Sequence, residues 1–265
     1  MSITWVVSSV RALGVLSVLV VAGVTHAAEI KVMNSGGFAA AYLELAPEFE
    51  RATGNTITTA WGPSMGVAPD AIPMRLRRGE PVDVLIMVGY ALGDLIKQGK
   101  VIADSRVDLA RSKIGMAVRA GATKPDISSV EAFKQTLIAA KSIAYSVSAS
   151  GVYVSTELFQ RLGIAEELRA KSREIKGERV GNVVARGEAE IGFQQISELL
   201  PVHGIDFVGP IPAELQKITV FSAGIAASAK DPSAAKTLIE FLASPAAIAA
   251  IKKSGLEPIT STSEN

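Results

Sequence analysis

The stretch Glu29 to Gly54, EIKVMNSGGFAAAYLELAPEFERATG, sets the fold. It opens with a short apolar strand, EIKVM, turns through NSGGF and enters a long amphipathic run that predicts a helix. Glycines at such a junction let the backbone approach a ligand, and the first turn of the helix offers unpaired N–H groups and a dipole that favours negative charge. Outward from this unit the rhythm repeats. NTITTAW (55–61), the loop GPSMGVAP (62–69), the helical DAIPMRLRRGE (70–80), the strand VDVLIMV (82–88) and a helix from Tyr90 to Gln98 follow in turn. This is the βαβ order of a parallel sheet covered by helices on both faces.

The alternation continues through KIGMAVRAG (113–121), SSVEAFKQTLIAAK (128–141, with Ser128 as its N-cap), SIAYSV, GVYVSTELFQRLG, ERVGNVVARGE, AEIGFQQ and GIDFVGPIP. One segment breaks it. LQKITVFSAGIAAS (215–228) is a long apolar strand followed by two helices, DPSAAKTLIEFLAS and PAAIAAIKKSG. A strand of this kind can leave one lobe and return to the other. The sequence therefore predicts two α/β lobes, each a mostly parallel sheet flanked by helices, with a ligand cleft between them. Crossings are expected near Lys113 to Arg119 and Ile218 to Ser228, which assigns 28–112 and 225–265 to the first lobe and 113–224 to the second.

The first 27 residues carry one basic residue, Arg11, an apolar stretch from Ala12 to Val24 and the small-residue sequence THA. That is the pattern of a cleaved secretory signal, with cleavage expected after Ala27 and a periplasmic product. The apolar stretch falls short of the roughly 20 residues of a membrane span. Loss of Arg11 with the leader leaves 26 charges of each sign, so bulk charge predicts neither a nucleic-acid nor a membrane partner. Cysteine is absent, which excludes disulfides, thiolate metal sites and cysteine nucleophiles.

Four junctions have the composition to face the cleft. They are Ser35, Gly36, Gly37 and Phe38; Trp61 to Gly66 around Ser64; Ser148 to Tyr153, with Ala149 and Ser150; and Glu178 to Asn182, with Gln194 and Gln195 closing a nearby strand. Taken singly, each is ordinary turn and cap chemistry. Together they make a clamp for an anion, built from N–H and O–H donors in both lobes. Arg179, at a helix start, can grip a carboxylate bidentately or stand as an exposed helix residue. Arg75, Arg77 and Arg78 fit the solvated end of a helix. His203 falls in a loop on the strand side away from the cleft. No Ser/His/Asp triad, metal-ligand spacing or phosphate-binding loop is present, and no cofactor or metal is expected.

In motif order the chain resembles periplasmic substrate-binding proteins of the molybdate-binding type. IKVMNSGGFAAAYLELAPEFERATG, RLRRGEPVDVLI, SASGVYVSTELFQRLG, ARGEAEIGF and FLASPAAIAAIKKSGLEP carry the likeness. The resemblance implies a type II periplasmic-binding-protein fold closing on an oxyanion held by serine hydroxyls, amides and a tyrosine. Carried over, the first-loop serine falls at Gly37, with Ser35 two residues earlier. The second falls near Ser64, the third contact near Ala149 or Ser150, the fourth near Val180 and the tyrosine near Gln195. Glycine at 37 and an amide at 195 imply a roomier pocket, suited to a di- or tricarboxylate more than to molybdate. Within the family the chain is similar to the branch that contains bacterial periplasmic aconitate isomerase. That likeness implies cofactor-free interconversion of trans- and cis-aconitate by an allylic proton shift, and Glu178 and Tyr153 are the titratable residues of this chain best placed to be the base. The alternative is the binding component of an ABC importer for a carboxylate or molybdate-like oxyanion, which alone would require a permease partner.

Overall fold

The computed structural model describes residues 27–259 together with Met1; the expected leader, but for Met1 and Ala27, lies outside the described residues. The chain begins β1 (Glu29–Asn34), α1 (Gly36–Thr53), β2 (Thr56–Trp61), α2 (Ile72–Arg77), β3 (Val84–Val88), α3 (Gly89–Lys97) and β4 (Val107–Ser112). It then builds β5 (Ile114–Arg119), α4 (Val130–Ala139), β6 (Ile143–Ser146) and α5 (Ala149–Tyr153), which runs on through a π-helical turn, Val154–Leu158, into α6 (Phe159–Arg161). Next come α7 (Ala165–Arg169), β7 (Ser172–Ile175), α8 (Val180–Ala185), β8 (Ile191–Gln195), α9 (Ile196–Leu199) and β9 (Ile205–Pro210). It closes with β10 (Thr219–Ile225), α10 (Pro232–Leu242), α11 (Ile248–Lys253) and β11 (Glu257–Pro258).

Two sheets result. The first has the order β11-β4-β10-β3-β1-β2, the second β7-β6-β8-β5-β9. Burial explains the sequence pattern: all five residues of β3 are buried, with Val84, Ile86 and Val88 in one cluster and Leu85 and Met87 in another. A strand covered on both faces reads as an unbroken apolar run. On one face of the first sheet, Phe38, Tyr42, Leu45 and Phe49 of α1 meet Ile86 and Phe221 in the core. Gly54, with φ of 73°, ends α1 in the left-handed conformation that glycine adopts without steric cost.

Three expectations change. The sheets are mixed: β1, β2 and β3 pair in parallel, whereas β10 runs antiparallel to β3 and β4, and β5 antiparallel to β8 and β9. Parallel neighbours need a covering crossover, and β5 and β10 arrive directly from the other sheet without one. The second crossing falls at Lys217 and Ile218. All of β10 belongs to the first sheet, so Thr219 to Gly224 move to the first lobe. The N-cap of α4 is Ser129, whose Oγ accepts from the Ala132 N–H at 3.1 Å, while the Ser128 N–H donates to Asp126. Among the described residues no single helix is long and apolar enough to cross a membrane.

Candidate functional site

The amino end of α1 is the centre of the site. β1 ends in Asn34, fully buried, and the next residue, Ser35, is 2% exposed. The Ser35 N–H donates to Ile86 O at 2.9 Å, which ties the junction to β3. Among the described residues, neither Asn34 side-chain polar atom nor Ser35 Oγ has a hydrogen-bond partner. Buried polar atoms normally find one, so three uncommitted atoms beside the positive end of an 18-residue helix point to a ligand. Ser64, also fully buried, accepts the Val88 N–H at 3.0 Å and keeps its own O–H to donate.

The second sheet brings its own groups to this point. Gln194 Oε1 accepts the Val180 N–H at 2.9 Å and so caps α8, and Arg179 stands half-buried before that helix. Gln195 Nε2 donates to Thr219 Oγ1 at 3.0 Å across the crossing, leaving its buried Oε1 without a partner. From α9, the Ser197 hydroxyl donates to Gly37 O at 2.6 Å. The next residue, Glu198, is 8% exposed, and its Oε1 lies where a Cβ on Gly36 would stand. Burial pushes the Glu198 carboxyl up to about 7, against the opposing pull of Arg179 and of its hydrogen bond to Gln194.

Residues 30–257 match the family described as bacterial extracellular solute-binding protein. The chain belongs to that family. It is 53% identical over 230 residues to the aconitate isomerase of a Pseudomonas species, covering 87% of this chain and 88% of that protein. It is 27% identical over 240 residues to the molybdate-binding protein ModA of Azotobacter vinelandii, with 87% and 90% covered. The solved periplasmic molybdate-binding protein of Azotobacter vinelandii superposes with a TM-score of 0.69 at 23% identity, over 86% of this chain and 98% of that one, and so shares the fold.

In this solute-binding protein the sequence-expected residues fall into three groups. Ser35, Gly36 and Gly37 form the α1 amino end, Arg179 and Gln194 act on the Glu198 carboxyl beside Gly36, Val180 joins them through Gln194, and Gln195 turns to Thr219 at the crossing. Ser64 lies at the adjoining β3–α3 junction. Ala149 packs on the core cluster of the first sheet, and Ser150 Oγ is 3.3 Å from Ser146 Oγ, so the start of α5 spans the two sheets. Glu178 and Tyr153 are committed elsewhere. Glu178 forms a two-point pair with Arg186, both contacts 2.8 Å, and that guanidinium holds its carboxyl below the usual range. The Tyr153 hydroxyl donates to Leu215 O at 2.6 Å and accepts from Arg161 at 2.8 Å inside the second core.

Gly37 also changes meaning. A Cβ there would collide with the Phe221 ring, so the missing side chain makes room for an aromatic of β10 and does not widen the pocket. His203 is exposed in the turn before β9, and Arg75 and Arg78 are tied to Glu80. Among the described residues no group of three or more metal-ligating side chains exists. A cavity of about 480 Å³ near Lys31, Lys100 and Lys230 includes Asp83, whose carboxylate accepts the Lys31 and Lys230 N–H groups and stitches the loops.

Glu198 escaped the sequence reading, and Asn34 entered it only as part of the NSGGF turn. Asn34 is the one polar side chain ending an otherwise buried strand segment, and Glu198 is the one charge in the run IGFQQISELLPV. A lone carboxylate within an apolar stretch was the available signal.

Proposed function

We propose that this protein is a periplasmic isomerase that interconverts trans- and cis-aconitate without a cofactor. The observation that carries the reading is the uncommitted donor set at the start of α1, Asn34 and Ser35, with the Glu198 carboxyl at Gly36 and Arg179 acting on that carboxyl. The 53% identical aconitate isomerase supports the choice of substrate. The substrate is a tricarboxylate, and each of its carboxylates needs donors when taken from water. Ser35, the Asn34 amide and the first N–H groups of α1 hold one. Arg179 pairs with a second, and the Ser64 hydroxyl serves a third.

The chemistry is a 1,3 proton shift. A C–H bond breaks at the methylene of one terminal arm, the double bond moves to that arm, and a C–H bond forms at the former vinyl carbon. Composition and oxidation state are unchanged, so no co-reactant is consumed. Negative charge grows on a carboxylate as the proton leaves, and donors fixed in advance at the α1 amino end stabilise it where it forms.

A proton NMR time course of the mature protein with trans-aconitate tests this. Cis-aconitate appearing at a rate proportional to protein is the expected result. The second reading, a binding component of an importer, draws on the 27% identical molybdate-binding relative. Absent turnover, together with a melting temperature raised by molybdate, would establish that reading instead.

A further inference from the structure

A proton shift between two carbons needs a base at the bound anion. The described residues include two buried acidic side chains, Asp83 and Glu198. Asp83 is spent: its two oxygens accept backbone N–H groups of Lys31 at 2.8 Å and Lys230 at 2.7 Å. Among the described residues Glu198 receives no backbone N–H, and Arg179 and the Gln194 amide lie close enough to favour its charged form. Its position is set from two sides. Ser197 fastens α9 to the Gly37 carbonyl, and Gln194, fixed by the Val180 N–H, lies near the carboxyl. Gly36 has no side chain, and the carboxyl occupies that space, beside the unpartnered Ser35 and Asn34.

We propose that Glu198 is the catalytic acid and base of the proton shift, taking the proton from the methylene carbon and returning it to the former vinyl carbon. The proposal rests on the isomerase reading. One carboxyl suffices because both terminal carbons are joined to the same central carbon and a planar intermediate presents them on one face. A carboxyl desolvated in this way both accepts and returns a proton near neutral pH, as efficient proton transfer requires. Arg179 steadies its ionised form before the substrate binds.

The test compares the mature protein with Glu198→Gln and Glu198→Asp. The parent should convert trans-aconitate to cis-aconitate and, in D2O, exchange the methylene hydrogen for deuterium. In Glu198→Gln both activities should fall by about 100-fold to 10,000-fold, the usual weight of general acid–base catalysis, while trans-aconitate still raises the melting temperature. Glu198→Asp, a shorter acid, should recover part of the turnover. Turnover within about 10-fold of the parent in Glu198→Gln would overturn the proposal alone. Loss of both turnover and ligand-induced stabilisation in the Gln and Asp variants would also overturn it, by giving Glu198 a structural role. An inactive parent would remove the isomerase reading and, with it, this assignment.

Discussion

Glu198 and Gly36 share one space: the carboxyl of the first stands where the side chain of the second would begin. Gly36→Ala should therefore act on the site and not on the helix, for which alanine is the better residue. Displacing a buried side chain in a packed region costs about 1–3 kcal/mol. We expect the urea midpoint to fall accordingly and aconitate turnover to drop with it. An unchanged midpoint with full activity would mean that Glu198 is free to move.

The two serines should separate binding from stability. Ser35 Oγ has no protein partner, so Ser35→Ala should leave the melting temperature of the ligand-free protein nearly unchanged and weaken trans-aconitate binding by about 1–3 kcal/mol. Ser64 Oγ also accepts the Val88 N–H, and Ser64→Ala orphans a buried donor. That variant should lose about 1–3 kcal/mol of stability even without ligand. Calorimetric binding titrations beside ligand-free melting curves distinguish the two.

Glu198 makes the folded state sensitive to alkali. Its carboxyl is raised from an ordinary 4.5 to about 7, so between these values the folded protein holds a proton that the unfolded chain has released. Stability from this group is complete below about 4.5 and is lost as pH rises through about 7. Glu198→Gln should match the parent near pH 4 and exceed it by about 3 kcal/mol at pH 8, at 1.4 kcal/mol per unit. Denaturant melts at the two pH values measure the difference directly.

Arg179 is the charged group that acts on Glu198, from the start of α8; the first turn of α1 carries no acidic residue. Removing the cation in Arg179→Gln raises the Glu198 carboxyl further. The ascending limb of kcat/KM against pH should then move to higher pH, and KM should rise about 10-fold or more for loss of a charge-assisted pair. A pH profile unmoved by the substitution would separate the two residues.

Gly37→Ser tests what the glycine is for. If it opened the pocket, the serine would supply an extra anion contact. The Phe221 ring fills that place, so the variant should be destabilised by about 1–3 kcal/mol and gain no affinity for molybdate. Pairing it with Phe221→Ala should recover much of the folding loss, a coupling that a double-mutant cycle reads.

The layered α/β architecture was legible because strands such as VDVLIMV are buried on both faces and announce it in composition. The direction of β5 and β10 was not, since TVFSAGI reads the same whichever sheet receives it and whichever way it runs. Junction chemistry put Ser35, Gln194, Gln195 and Arg179 at strand and helix ends and Ser64 in the loop after β2, and the structure places them there. Glu198 lies past such an end, and its burial depends on α1, 160 residues away in the adjoining Ser197–Gly37 contact. Glu178 occupies a suitable junction, but Arg186, eight residues on, claims its carboxylate. Pairings of that kind depend on side-chain reach, which residue type and spacing leave open.

The place of β10 also bears on how the chain is made. It lies between β3 and β4, so the first sheet is split until residues 219–225 have been synthesised. The second sheet is complete by Pro210, and Gln216 clasps its entry point by bonding both the N–H and the carbonyl of Ile114, at 3.0 and 2.7 Å. A growing chain can therefore finish its inserted half while the half that began first stays open until β10 joins β3 to β4, and the short edge strand β11 is added after it.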